Sequence, residues 1–419
     1  MPSYLARLDT WRPAAWTDLD ENVRGAIRQG MLRPPADPHD RAGRGGGLGA
    51  LFHRGPSEAE LVHALCGPDG RIREAALGQA ADRPALLPLV AIRATDWAAP
   101  VRERALAVLA AALPSADAGT LAATAPVILR IRGRLRGAEG AALLEEWLRT
   151  ATPDVLTALF THRDRTTRRL ALRIGVERSL FTPRELARTA SADPDPAVRD
   201  TAADAAAAAD APEETLGLLL TARTGRVRAA GVTALRRAGR HAEAEPYLYD
   251  RSGTVRACAR WVLRQDGVDP LALYRAACAE PVTMPDRAPL GLAECGERAV
   301  DLPVLWALTG HPRPLARSSA VAGLRAFEVT DLPRLLALLD DPAPGVVREA
   351  ARTLSPWAHR LPERELLGRT GPDRLPHVRI RALRLLRDHG SWAYEETARR
   401  LAEDPDPVVR YRTHLALGR

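Results

Sequence analysis

Arginine is the residue type through which this chain could act on another molecule. Its basic residues other than histidine are 60 Arg and no Lys, and Asn22 is its single Asn, the usage of a GC-rich bacterial coding sequence. Chemistry that needs a lysine therefore cannot come from this chain. That removes a standard phosphate loop ending in Lys-Ser/Thr, a kinase-type ATP lysine and Schiff-base catalysis. The glycine run from Gly43 to Gly49 has neither that ending nor a preceding strand, and is a linker. Cys66, Cys258, Cys278 and Cys295 are singletons in Ala- or Leu-rich surroundings and are expected as buried small hydrophobes. The ten histidines contain no His-x-x-x-His pair, and no serine sits in a Gly-x-Ser-x-Gly elbow. No cofactor or metal is expected.

What the arginines can do is bind anions, and they are unevenly spread along a chain of net charge +8. Residues 121–180 hold 11 Arg against 6 acids, concentrated at Arg130, Arg132, Arg134 and Arg136 and again at Arg163, Arg165, Arg168, Arg169 and Arg173. A second excess runs through Arg364, Arg369, Arg374, Arg379, Arg381, Arg384 and Arg387, whereas residues 241–300 carry 9 acids to 7 Arg. Such blocks are either solvated helix faces or contacts for an anionic partner, whether nucleic acid or acidic protein.

The elements that position these side chains follow from an internal period. DPDPAVRDTA at Asp193–Ala202 and DPDPVVRYRT at Asp404–Thr413 are near-copies 211 residues apart. An Arg preceded by an apolar residue, or at Arg168 by Thr167, recurs at Arg73, Arg102, Arg168, Arg199, Arg228, Arg256, Arg317, Arg348, Arg379 and Arg410, with weaker anchors at Arg132 and Arg287. The intervals are 28 to 31 residues except for one of 36. A period of about 30 over most of a chain means stacked supersecondary units. In each unit the anchor opens the second helix of a hairpin. Asp195 caps it, Pro196 suits its first turn, and Val198, Ala202, Ala205 and Ala209 fall on one face. In the partner helix Leu332, Leu335, Leu336 and Leu339 make one stripe, and Val347, Ala351 and Leu354 answer it. A lone hairpin cannot bury both stripes, so neighbours must stack.

This pattern of turn Asp, Val-Arg, Ala and Leu resembles HEAT-like repeats of the short bacterial type, which also occur in bilin lyases. The resemblance covers roughly residues 57–419 and is irregular around Ile131 and Arg287. It implies an all-α, right-handed α-solenoid of about 12 helical hairpins whose second helices line the concave face. Some solenoids of this kind resemble alkyl-base DNA glycosylases, which need a carboxylate beside aromatics; Asp96-Trp97 and Glu146-Trp147 are the places for it here. A tryptophan packed between hairpins beside a solvent-facing acid is the commoner arrangement, and nothing matches a bilin site. The anchors themselves are expected to form an ionic ladder with turn carboxylates, Arg199 lying near Asp193 or Asp195.

Residues 1–33, with Trp11, Trp16, Leu19, Val23 and Ile27, are expected as a helical cap or a tether. Pro34, Pro35, Pro38 and the following glycines make 34–56 a linker. No secretory signal is apparent. The stretch Ala105 to Leu129 contains Pro114, Asp117 and Pro126, against a membrane span. The expectation is a cytoplasmic, non-catalytic scaffold that binds a protein partner, with nucleic-acid binding through residues 121–180 as the alternative. Its candidate surface comprises Arg130, Arg132, Arg134, Arg136, Arg168, Arg169, Arg260, Trp261, Arg264, Arg352, Arg384 and Tyr411, types favoured at interface hot spots.

Overall fold

Short polar side chains and prolines set most of the helix starts. Asp117, Asp164 and Asp195 accept backbone N–H bonds from Thr120, Thr167 and Val198 at 2.8, 2.8 and 3.2 Å. Ser57 with Glu60, and Thr182 with Glu185, close reciprocal capping boxes. Pro196, Pro314, Pro344, Pro376 and Pro407 open their helices, where the missing amide costs no hydrogen bond. The structure, a computed structural model, describes Leu5 and residues 8–35, 56–208 and 212–418, among which there is no strand. Apart from Pro34, Pro35 and Pro56, the expected linker lies outside the described residues.

The chain divides into two compact units, Met1–Thr215 and Leu216–Arg419, each an α-solenoid of stacked hairpins. In the first, α1 (Pro13–Arg28) precedes the pairs α2 (Glu58–Leu65) with α3 (Gly70–Ala80), and α4 (Leu87–Arg93) with α5 (Ala99–Ala112). There follow α6 (Ala118–Ile131) with α7 (Ala138–Thr150), α8 (Pro153–Phe160) with α9 (Arg165–Glu177), and α10 (Pro183–Ala192) with α11 (Pro196–Ala208). Second helices α3, α5, α7, α9 and α11 lie side by side, and α1 packs across α4 and α6. Trp16, Val23 and Ile27 of α1 enter the core of this unit, and the Trp16 indole N–H donates to the Thr10 carbonyl at 3.1 Å.

The second unit begins within α12 (Glu213–Leu220), against which α13 (Gly225–Arg237) is drawn close at Gly231. A Cβ there would stand 2.9 Å from Leu219 Cβ, so only glycine permits the approach. A 3-10 segment, His241–Tyr249, replaces the first helix ahead of α14 (Gly253–Gln265). The remaining pairs are α15 (Pro270–Ala279) with α16 (Ala288–Cys295), α17 (Arg298–Leu308) with α18 (Pro314–Ala326), and α19 (Leu332–Ala337) with α20 (Pro344–Leu354). The last are α21 (Glu363–Gly368) with α22 (Pro376–His389), and α23 (Tyr394–Leu401) with α24 (Pro407–Ala416). Helices α16, α18, α20, α22 and α24 stand in one layer.

The expected stripes hold with adjustments. Leu335, Leu336, Leu339, Val347, Ala351 and Leu354 are buried and Leu332 is half-buried. In α11 the buried set is Val198, Ala202, Ala203, Ala206 and Ala207, with Ala205 only half-buried and Ala209 outside the described residues. The helix is flanked by both its partner and its neighbour in the stack, so its buried arc is wider than one stripe. Arg132 is not the start of a second helix. It caps the C-terminus of α6, and α7 begins only after the turn from Gly133 to Gly137.

Candidate functional site

Nine of the ten clear anchors stand at the fourth position of their helices, with Arg348 at the fifth, and five of the nine do one repeated job. In α3, Arg73 Nε and Nη2 each donate to the Asp96 carboxylate at 2.9 Å, while Nη1 donates to the Gly67 and Pro68 carbonyls at 2.9 and 2.8 Å. Arg168 binds Asp193 and the His162 and Arg163 carbonyls in the same way. Arg228 repeats it on Asp250, and Arg317 on Asp341. Arg379 reaches Asp404 with Nη2 at 2.8 Å. Each of these aspartates also accepts an amide two residues on in its own turn. The anchor thus ties the turn before its helix to the turn of the next repeat. Arg199 makes only the carbonyl half, to Asp193 and Pro194. The carboxylates of Asp193 and Asp195 go instead to Arg168 and Arg169 of the preceding repeat, which corrects the expected pairing with Arg199.

Arg73, Arg228, Arg256 and Arg379 are buried, so these are interior bridges. Burial would raise the Asp96 carboxyl, but the Arg73 hydrogen bonds, the Ala98 amide and the Arg93 charge bring it below the ordinary carboxylate value. Asp250 is lowered against its burial by the Arg228 and Ser252 hydrogen bonds. Asp195 is drawn down to about 2, first by the Arg169 hydrogen bond. Asp96 also takes Arg93 at 3.4 Å, and Arg93 in turn pairs with Asp20 of α1. The acid of the Asp96-Trp97 pair is therefore occupied, and Trp97 projects outward with Arg73 5.9 Å from its ring. Glu146 is exposed and pairs with Arg149 at 3.6 Å. Burial pushes the Cys66 thiol far up and Cys278 up to about 12, leaving both as thiols.

The candidate arginines separate by what already holds them. Arg168 and Arg169 are spent on Asp193 and Asp195, and Arg173 on Glu145 and Glu177. In the same block Arg130 and Arg132 are exposed, Arg136 is half-exposed, and none has an ion-pair partner among the described residues. Arg134 reaches Glu21 only at 3.9 Å. On α14, Arg260 donates to Glu294 at 2.7 Å and Trp261 is 42% exposed, with Arg236 over its ring at 5.2 Å; Arg264 is exposed, with no ion-pair partner among the described residues.

The candidates that converge lie on α20, α22 and α24. Arg352 and Arg384 are exposed on neighbouring second helices, and Tyr411 of α24 is exposed as well. Sequence patterning did not place Arg348 with them, because it is an anchor. In most second helices the anchor follows the opening residue by three, as Arg199 follows Pro196, but Arg348 follows Pro344 by four because Val347 occupies the anchor position. One extra residue turns the side chain about 100° around the helix. Val347 takes the interior position, and Arg348 swings out to join Arg352. The second valine before Arg348, in Pro344-Gly-Val-Val-Arg against Pro196-Ala-Val-Arg, was the signal that could have located this.

No protein-family model matches the chain, and no curated protein matches it. Among solved structures the chain is similar to the karyopherin Kap121p bound to the SUMO protease Ulp1p, at 12% identity and a TM-score of 0.32 over 84% of this chain and 47% of that one. It is also similar to Kap95p, solved with RanGDP, at 13% and 0.34 over 85% and 60%. A third, YibA of Escherichia coli, gives 14% and 0.23 over 66% and 96%. The chain spans about half the length of the Kap121p chain it matches.

Proposed function

We propose that this chain is a non-catalytic interaction scaffold of the short bacterial HEAT-like kind, acting in the cytoplasm, whose second-helix face binds a protein partner. The observation that carries this reading is the cluster of Arg348, Arg352, Arg381, Arg384 and Arg412 on α20, α22 and α24, a set the ladder does not consume. Stacked second helices hold these side chains on rigid elements, so a partner pays little to order them. Exposed Tyr411 on α24 adds an aromatic of the type that anchors interfaces. Karyopherins solved with Ulp1p and with RanGDP bind protein partners, in keeping with this use of stacked helical hairpins.

The test compares what tagged wild type and an R352E/R384E/Y411A variant retain from a cell extract, with the recovered protein then purified and titrated against both. A partner that binds wild type and loses affinity for the variant upholds the reading. Equal binding to both, or retention of nucleic acid alone, overturns it.

A further inference from the structure

Two pockets of about 340 Å³ each adjoin on this face, one between α20 and α22 and the other between α22 and α24. Arg381 and Arg384 line both, so the two make one groove. Its charge is unbalanced. Glu349 is shared by Arg325 at 2.6 Å, Arg352 at 2.8 Å and Arg348 at 3.5 Å. Asp388 accepts from the Ser355 hydroxyl at 2.6 Å and from Arg387 at 3.3 Å. Arg381, Arg384 and Arg412 have no carboxylate partner among the described residues. Burial, and then the charges of Arg384, Arg348, Arg352 and Arg412, hold the Arg381 guanidinium below its ordinary value.

A second observation is independent of charge. Thr413, 1% exposed, is among the residues lining the α22–α24 pocket, and its hydroxyl has no hydrogen-bond partner among the described residues. Buried hydroxyls are nearly always satisfied, so an unpartnered one on a residue lining a pocket points to a ligand group. The floor beside it is apolar, built from Ile380, Leu383 and Leu415, the last 52% exposed.

Resting on the protein-binding reading above, we propose that this groove takes an extended acidic peptide segment of the partner. Carboxylates would meet Arg381, Arg384 and Arg412, and an apolar side chain would sit on Ile380, Leu383 and Leu415. Packed helices stand about 8–10 Å apart, and an extended chain in the polyproline II form advances about 3.1 Å per residue with three residues per turn, so every third side chain lies on one face. Acids at every third residue therefore fall on successive helices. The apolar floor favours a peptide over a polyphosphate backbone, which carries charge alone along its length.

The probe is a fluorescein-labelled peptide with glutamate at every third position and leucine after each, titrated by anisotropy into the full chain at about 0.15 M salt, where the screening length is about 8 Å. Binding is expected to weaken at least about tenfold when glutamine replaces the glutamates, and by as much in an R381Q/R384Q variant. An R130Q/R132Q variant should bind as wild type does. Because R381Q relieves crowding among like charges, its melting temperature should be unchanged or higher, which separates lost binding from lost folding. Equal binding of the glutamine peptide, no loss in R381Q/R384Q, or tighter binding of a single-stranded oligonucleotide overturns the proposal. Failure of the peptide, with the purified partner still sensitive to R352E/R384E/Y411A, removes the acidic-segment proposal and leaves the scaffold. Failure of both removes the surface.

Discussion

Arg168 in α9 holds Asp193 with two parallel hydrogen bonds of 3.1 and 3.2 Å, across 25 residues of sequence. Asp193 begins the turn of the following repeat and fixes that turn by accepting the Asp195 amide at 2.7 Å. One carboxylate therefore sets both the shape of a turn and its distance from the helix before it. The planar guanidinium suits this work because it can serve a carboxylate and two carbonyls at once, which a lysine ammonium cannot do with the same geometry. A chain without lysine is well equipped for such a ladder.

The rungs should differ in strength according to burial. Replacing Asp96 by Ala leaves Arg73 and Arg93 as buried charges stripped of a shared partner, both at 3% exposure or less. The expected loss is about 3–5 kcal/mol. Replacing Arg169 by Ala removes a guanidinium that is 44% exposed and leaves Asp195 with the Ala197 and Val198 amides, so the loss should be smaller, about 1 kcal/mol. Urea denaturation of the two variants checks the contrast, and similar losses would mean the ladder is not graded by burial.

Acid should unfold the protein through the same carboxylates. Asp96, Asp195, Asp250 and Asp301 all titrate below the ordinary 3.8 in the folded state. A lowered folded value contributes stability that is present above the unfolded value and lost as pH falls through the folded one. Melting temperature should then be level above about pH 5 and fall from about pH 4 toward 2. Asp195→Asn should flatten the lower part of that fall, since its folded value is about 2. A melting temperature that rises on acidification would contradict the assignment.

The hairpins and the ladder were legible because they rest on local rules: a capping Asp, a proline at the first turn, Val-Arg and an apolar stripe. The direction of each bridge was not, since Arg199 and Arg168 are both near Asp193 and only packing decides which takes its carboxylate. Net charge misled for a similar reason. Residues 121–180 look most basic, but Arg168, Arg169 and Arg173 are neutralised by acids at 193, 195, 145 and 177, two of which lie outside the block. The groove on α20, α22 and α24 depends on Val347 taking the anchor position and leaving Arg348 one residue further round the helix, a difference that a count of charges cannot register.

Nucleic-acid binding through residues 121–180 is tested on the arginines that the ladder leaves over. Arg168 belongs to the ladder, so its replacement would confound folding with binding. Arg130, Arg132 and Arg136 are free of ion pairs among the described residues and can be changed to Gln together. Duplex and single-stranded DNA and RNA are expected to bind only weakly at about 0.15 M salt, with the triple variant making little difference. Sub-micromolar affinity there, with a salt slope that flattens in the variant, would establish a phosphate-contacting face instead.

The N-terminal helix offers the last prediction, because cap and tether differ in energy. Trp16 is 1% exposed within the first unit's core, and Asp20 of the same helix pairs with buried Arg93 in α4. A cap made this way shares the unit's stability: removing Trp16 loses a large buried ring and leaves a cavity that packed helices fill poorly. Trp16→Ala should therefore destabilise the chain by about 3–5 kcal/mol, and Asp20→Ala should also be costly because it strands one side of Arg93. Both losses should appear in the unfolding of residues 56–208, followed through hydrogen exchange of α4 and α6, the helices that α1 covers. If both variants leave exchange in α4 and α6 unchanged, α1 contributes nothing to the unit's folding and acts as a tether.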